Sequence, residues 1–217
     1  MPLHFSPLYA ILDIASVNSE ARIPEVLAES GVGLIQVRDK HASARSVFEA
    51  SKDIVARLTP KGVRVVVNDR PDIAAMAGAG GVHVGQDDLS VEDARAICGG
   101  FDGKDRWVGV STHTLEQLAQ ADRTSADYIA LGPIFPTATK KNPDPVVGTE
   151  LLRKARQMTK KPLVAIGGIT LERAAEVYRA GADSLAVIRD LTCVPNPGER
   201  AREYLDVAAS IPSPGSD

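Results

Sequence analysis

Short apolar, β-branched runs recur along the chain, and each gives way to a stretch with helical periodicity. The runs are LYAILDI (8–14), GLIQV (33–37), VRVVVN (63–68), GVHVG (81–85), RWVGV (106–110), DYIALG (127–132), PLVAIG (162–167) and SLAVI (184–188). Between them, apolar positions fall three and four apart in ARIPEVLAESG, SARSVFEASKDIVARL, PDIAAMAGA, SVEDARAICG, TLEQLAQADR, TELLRKARQM and TLERAAEVYRAGA, and again after the last run in GERAREYLDVAASI. Eight repeats of strand then helix predict an α/β fold, a (β/α)8 TIM barrel, with a doubly wound open sheet as runner-up. No linker, charge run or low-complexity segment divides residues 1–211, which read as one catalytic domain. The tail PSPGSD, 212–217, is expected to be disordered.

In such a barrel the active site gathers at the C-terminal ends of the strands. The second strand runs into Gln36, Arg38 and Lys40, spaced two apart and so on one face, the face that Leu34 also uses. Cations there are costly unless something negative meets them. The third strand ends in NDRPD, with Asn68 and Asp69 before a helix started by Pro71. The fourth ends in GQDDLS with Gln86, Asp87 and Asp88, the fifth in STHT with Ser111 and His113, the seventh in GGIT and the eighth in RDL. After the sixth comes a 17-residue loop, GPIFPTATKKNPDPVVG, with four prolines.

Each of these residues has a plain structural alternative. Asn68 and Asp69 can cap the next helix, Asp88 can be a turn residue with Ser90 as a cap, and Ser111 and Thr114 can serve as turn and cap. His113 reads as a structural hydrogen-bonder and His83 as a packed or turn-forming residue. Together, however, the cations of strand 2 and the carboxylates Asp69 and Asp88 suit a Mg²⁺ ion shared between loops, with substrate phosphate completing its shell. Arg grips phosphate as a fork and Lys as a point charge, and both with Mg²⁺ neutralise charge on a leaving diphosphate. Backbone N–H groups at Gly167 and Gly168, opening a helix, suit a second phosphate; the alternative is a tight turn. Thr137, Thr139 and Lys140 on the long loop are further phosphate or carboxylate partners, while Lys141 and Asn142 read as solvated tip residues.

Composition narrows the partners. The chain has 217 residues, 44% hydrophobic, with a net charge of −3 and only 4% aromatic residues. That argues against a nucleic-acid binder or a membrane-surface protein and leaves small-molecule substrates. Cys98 and Cys193 lie far apart and form no metal-binding pattern, which reads as two reduced thiols in the cytoplasm. The N-terminus has no basic segment and Asp13 interrupts its apolar run, so no signal peptide is expected. No apolar stretch approaches the roughly 20 residues of a membrane helix. A homo-oligomer is left open.

QVRDK, VNDRPDIA, GVHVGQDD, VGVSTHT, ADYIALGPIFPTATK, PDPVVG, VAIGGI and AGADSLAVI run in order over residues 8–191. In this the chain resembles the thiamine-phosphate synthase (thiamine-phosphate pyrophosphorylase) family. The resemblance implies a TIM barrel that joins 4-amino-5-hydroxymethyl-2-methylpyrimidine diphosphate to a thiazole phosphate, releasing pyrophosphate. It implies Gln36, Arg38, Lys40 and Asn68 on the pyrimidine diphosphate, Mg²⁺ on Asp69 and Asp88, and Ser111 on the diphosphate or departing pyrophosphate. It also implies Thr137, Thr139 and Lys140 on the thiazole phosphate and the diphosphate, with Gly167, Gly168 and the backbone of Ile188 and Arg189 closing the thiazole phosphate site. Arg38, Lys40, Ser111 and Lys140 would carry the catalysis. The chain departs from the family at Ile188-Arg189, where a Val-Ser pair is usual, and in the first strand, where Asp13 is read as a rim residue near the pyrimidine. Rival readings are a thiazole tautomerase, which would carry a histidine in the sixth-strand loop and a decayed diphosphate motif, and a non-catalytic barrel that binds a phosphorylated ligand.

Overall fold

The computed structural model describes residues 5–14, 22–99, 105–137 and 144–211. Its eight strands form a closed parallel barrel in sequence order, β1 pairing with both β2 and β8. They are β1 Leu8–Asp13, β2 Leu34–Arg38, β3 Arg64–Asn68, β4 Gly81–Val84, β5 Trp107–Thr112, β6 Tyr128–Leu131, β7 Leu163–Ile166 and β8 Ser184–Val187. The helices between them are α1 Ile23–Glu29, α2 Ala44–Leu58, α3 Pro71–Met76, α4 Val91–Gly99, α5 Leu115–Asp122, α6 Gly148–Met158 and α7 Leu171–Arg179. After β8 come a four-residue α8, Arg189–Thr192, and then α9 Pro197–Ser210. The barrel expected from the strand–helix alternation is therefore the one found, with a short extra turn before the last helix. Residues 212–217, expected to be disordered, lie outside the described residues.

The two-residue strand period divides the core into two. Outward residues such as Leu8, Ala10, Leu12, Ile35, Val37, Val65 and Val67 pack under the helices in one large apolar layer. Inward residues Tyr9, Ile11, Leu34, Val66, Trp107, Tyr128, Ala130, Val164 and Ala186 fill the barrel itself. The same alternation carries Gln36, Arg38, Asn68, His83, Ser111 and Ile188 on inward positions, toward or at the C-terminal rim. Strand register sets their neighbours: Asp13 opposes Arg38, Asn68 opposes His83, and Gly109 opposes Tyr128.

Local signals explain the helix starts. Ser43 accepts a hydrogen bond from Ser46 N–H at 3.1 Å to cap α2, and Thr114 accepts one from Gln117 N–H at 3.2 Å to cap α5. Ser90 accepts one from Asp93 N–H at 3.1 Å at the head of α4. Pro71 occupies the first position of α3, where its missing N–H costs nothing. Among the described residues no helix is long and apolar enough to cross a membrane.

Candidate active site

At the rim, Arg38 at the end of β2 and Lys40 just beyond it each have a carboxylate partner. Arg38 Nη1 donates to Asp13 Oδ2 at 2.7 Å, and Lys40 Nζ lies 3.2 Å from Asp69 Oδ2. The Arg38 guanidinium thus leans toward β1, not toward the carboxylates of β3 and β4. The reason is burial: with 16% of its side chain exposed, it needs a near counter-charge.

Asp69 does not cap α3. The residue in the cap position is Arg70, which makes no side-chain cap hydrogen bond. Asp69 instead holds a left-handed backbone, φ 61°, fixed by its N–H donating to His83 O at 2.8 Å. A non-glycine residue in this region is uncommon and strained outside Asn and Asp. The twist brings the Asp69 carboxyl group close enough to that of Asp88 for each to feel the other's charge. Burial, and then the Asp88 carboxylate, push the Asp69 carboxyl above the usual carboxylate range, while Lys40 opposes them. Asp88 also plays the turn role foreseen for it, since its Oδ2 accepts from Gly85 N–H at 2.8 Å. An open depression of ≈ 560 Å³ lies against this pair, lined also by Arg70, Asp72, Asp87 and Leu89.

Below the rim a chain of polar side chains crosses the barrel. Gln36 Nε2 donates to Tyr9 Oη at 2.8 Å, and Tyr9 Oη is 2.9 Å from Tyr128 Oη. Tyr128 Oη is 3.0 Å from His83 Nδ1, and His83 Nε2 is 2.9 Å from Ser111 Oγ. Five strands contribute one residue each. Burial raises the pKa of both tyrosines, and it lowers His83 to about 4, so the imidazole is neutral. Ser111 is anchored a second time through its carbonyl, which accepts from Gln86 Nε2 at 2.6 Å. Neither Tyr9 nor Tyr128 was picked out by motif reading, although their place on the inward strand period was a usable signal.

The opposite side of the rim is built on the β6–α6 loop. Its described part docks on β7: Ile134 N–H donates to Ile166 O at 2.9 Å and Phe135 N–H to Gly167 O at 3.0 Å. Gly167 and Gly168 have φ of 98° and 63°. A Cβ on Gly168 would stand 2.4 Å from Pro136 O, so only glycine lets the two loops meet. Arg173 Nη1 donates to Gly168 O at 3.0 Å with its guanidinium over the Phe135 ring. His113 is structural, as expected, with Nδ1 2.5 Å from Gly132 O. Ile188 packs at the edge of the inner core and caps α8, and Arg189 is exposed. Thr137 stands at the end of the described loop, half-buried. Thr139, Lys140, Lys141 and Asn142 lie outside the described residues.

A family model described as thiamine monophosphate synthase matches residues 8–191. The chain belongs to the thiamine monophosphate synthase family. It is 47% identical over 209 residues to the thiamine-phosphate synthase of Koribacter versatilis (strain Ellin345), covering 94% of this chain and 96% of that protein. It is 38% identical over 202 residues to the thiamine-phosphate synthase of Methanospirillum hungatei JF-1, covering 92% and 96%. Among solved structures it resembles the thiamine phosphate pyrophosphorylase from Pyrococcus furiosus, with a TM-score of 0.82 and 31% identity over 93% of this chain and 95% of that one. Membership of the thiamine monophosphate synthase family supports a Mg²⁺-using mechanism in general. Among the described residues, no group of three or more His, Cys, Asp and Glu side chains gathers as a metal cage.

Proposed function

We propose that the protein joins 4-amino-5-hydroxymethyl-2-methylpyrimidine diphosphate to a thiazole phosphate, giving thiamine monophosphate and pyrophosphate. With a carboxylated thiazole CO2 is lost as well. The observation that carries this reading is family membership across residues 8–191 together with a rim whose charges suit a diphosphate. It is a transferase reaction in thiamine biosynthesis, by dissociative substitution. Pyrophosphate departs first, and the thiazole nitrogen captures the pyrimidine-methyl cation.

Such a reaction needs no strong nucleophile. It needs stabilisation of the leaving group, positioning and exclusion of water. Arg38 and Lys40 supply positive charge beside the departing oxygens, and Ser111 supplies a hydroxyl. Gln36 and Asn68 hold the pyrimidine half. Asn68 is partly buried at the end of β3, and Gln36 is fixed through Tyr9. Gly167, Gly168 and the backbone of Ile188 and Arg189 receive the thiazole phosphate. Thr137, Thr139 and Lys140 act from the long loop on both substrates.

The Asp69–Asp88 pair fits a Mg²⁺ ion. Two neighbouring carboxyl groups, one with its charge disfavoured by burial and then by the other, are eased by a cation, and an all-oxygen donor set suits a hard one. Asp69 and Asp88 would hold it, with water and diphosphate as remaining ligands. When bound, it would neutralise charge developing on the leaving pyrophosphate. Two cysteines with no disulfide among the described residues fit a cytoplasmic setting.

The test is direct. Purified protein, the pyrimidine diphosphate, a thiazole phosphate and Mg²⁺ are mixed, and thiamine phosphate is followed as fluorescent thiochrome after oxidation. Product that disappears with EDTA is expected. No product with either form of the thiazole would overturn the reading.

A further inference from the structure

Conserving hydrogen atoms along the buried polar chain fixes its direction. Gln36 Nε2 can only donate, so Tyr9 Oη accepts from it. The Tyr9 hydroxyl hydrogen must then find its own acceptor, because a buried O–H left unpaired is costly and Tyr9 is 1% exposed. The neighbour in reach is Tyr128 Oη, 2.9 Å away. Tyr128, fully buried, passes its hydrogen to His83 Nδ1 at 3.0 Å. The nitrogen that accepts cannot also carry the proton of a neutral imidazole, so His83 carries it on Nε2, 2.9 Å from Ser111 Oγ.

We propose that His83 is a positioning residue for the reaction proposed above: it donates from Nε2–H to Ser111 Oγ and so turns the hydroxyl hydrogen of Ser111 toward the diphosphate. A serine that accepts from an imidazole keeps its own hydrogen for an anion in the site. A serine that donates to the imidazole would offer that anion only lone pairs, which repel it. The same chain ties the amide of Gln36, on the pyrimidine side, to the hydroxyl of Ser111, on the leaving-group side. Its alignment is rigid because the three inner members, Tyr9, Tyr128 and His83, each hold a partner on both sides, the His83 ring also stacking on Tyr128 at 5.5 Å between centroids.

This inference rests on the proposed reaction for its role but not for its geometry, and two measurements separate them. In protein labelled with 15N at histidine, two-bond 1H–15N correlations report the His83 tautomer without any substrate. A protonated Nε2 with a bare Nδ1 is expected; a protonated Nδ1 would overturn the inference even in a protein that turns over. Wild-type protein without turnover would instead remove the proposed reaction. In the kinetic arm, His83→Phe should lower kcat about ten- to a hundred-fold, the usual cost of losing an outer partner, with the KM for thiazole phosphate unchanged. Ser111→Ala should cost as much or more, and His83→Phe added to Ser111→Ala should cost nothing further. His83→Gln, which keeps an N–H donor, should recover part of the loss, and it stands in where His83→Phe fails to fold. Additive losses in the double variant, or no recovery with His83→Gln, would overturn the role.

Discussion

Lys40 Nζ lies 3.2 Å from Asp69 Oδ2, an ion pair that joins the rim of β2 to that of β3 and holds together two groups assigned to different tasks. Binding of a metal-bound diphosphate would exchange the partners, the carboxylate going to the cation and the ammonium to phosphate oxygen. Half of the Lys40 side chain is exposed, so the pair itself contributes little to stability. Lys40→Met should therefore leave the melting temperature nearly unchanged. It should raise the KM for the pyrimidine diphosphate by roughly ten- to a hundred-fold, the size of a lost charge-assisted hydrogen bond. Steady-state kinetics with each substrate varied in turn provide the check, and an equal rise in the KM for thiazole phosphate would count against the assignment.

Asp69 is better tested as asparagine than as alanine. At φ 61° alanine would add backbone strain to the chemical change, whereas Asn tolerates that region. Burial first, and then Asp88, raise the Asp69 pKa in the fold above its unfolded value, so the folded state disfavours the charged form. This group therefore lowers stability as pH rises from the unfolded carboxylate range through its raised value, and the penalty stays at neutral pH. In metal-free protein Asp69→Asn should melt above wild type at pH 7, and the two should converge at low pH where Asp69 is protonated. Added Mg²⁺ should narrow the gap at pH 7, while turnover of the variant falls by orders of magnitude. Thermal melts across pH, with and without Mg²⁺, read all of this.

The barrel, and the inward positions of Gln36, Arg38, Asn68 and Ser111 at its C-terminal end, were legible because both rest on local periodicity. Strands eight times over, each followed by a helix, define the closed sheet, and a two-residue period tells which of Gln36, Val37 and Arg38 face inward. What the sequence concealed is pairing between elements far apart in the chain. Nothing near QVRDK says that Arg38 meets Asp13, because that contact follows from strand register. Tyr9 and Tyr128 looked like ordinary strand residues; their hydroxyls meet only because the barrel brings strands β1 and β6 face to face across its interior. The cap reading of Asp69 failed for a similar reason, since a backbone hydrogen bond to β4 holds it out of the helix.

The Asp13–Arg38 pair should behave as a coupled unit. Both side chains are largely buried, 16% exposed for Arg38 and 21% for Asp13, so removing the carboxylate leaves a guanidinium without its partner. Asp13→Asn should lower the melting temperature by several degrees, since about 1 kcal/mol moves it by roughly 2–4 °C at this chain length. It should also reduce kcat/KM for the pyrimidine diphosphate by letting Arg38 leave its position. Losses from Asp13→Asn and Arg38→Ala that simply add in the double variant would show that the two act independently.

Gly109 controls whether the polar chain can form at all. A Cβ at this position would stand 2.0 Å from Tyr128 Cζ and 2.4 Å from each Cε, so the ring of Tyr128 occupies the space a side chain on β5 would fill. The obstacle is packing against a fully buried ring, not a left-handed backbone. Gly109→Ala should destabilise the fold by about 1–3 kcal/mol, as overpacking of a core does. It should also lower kcat by dragging the Tyr128 hydroxyl from Tyr9 and His83, its partners at 2.9 and 3.0 Å. A second change separates the two effects. Leucine ends before the ring atoms that clash, so Tyr128→Leu in the Gly109→Ala background should restore much of the melting temperature and none of the turnover. Recovery of turnover together with stability would mean that the ring's bulk mattered and its hydroxyl did not.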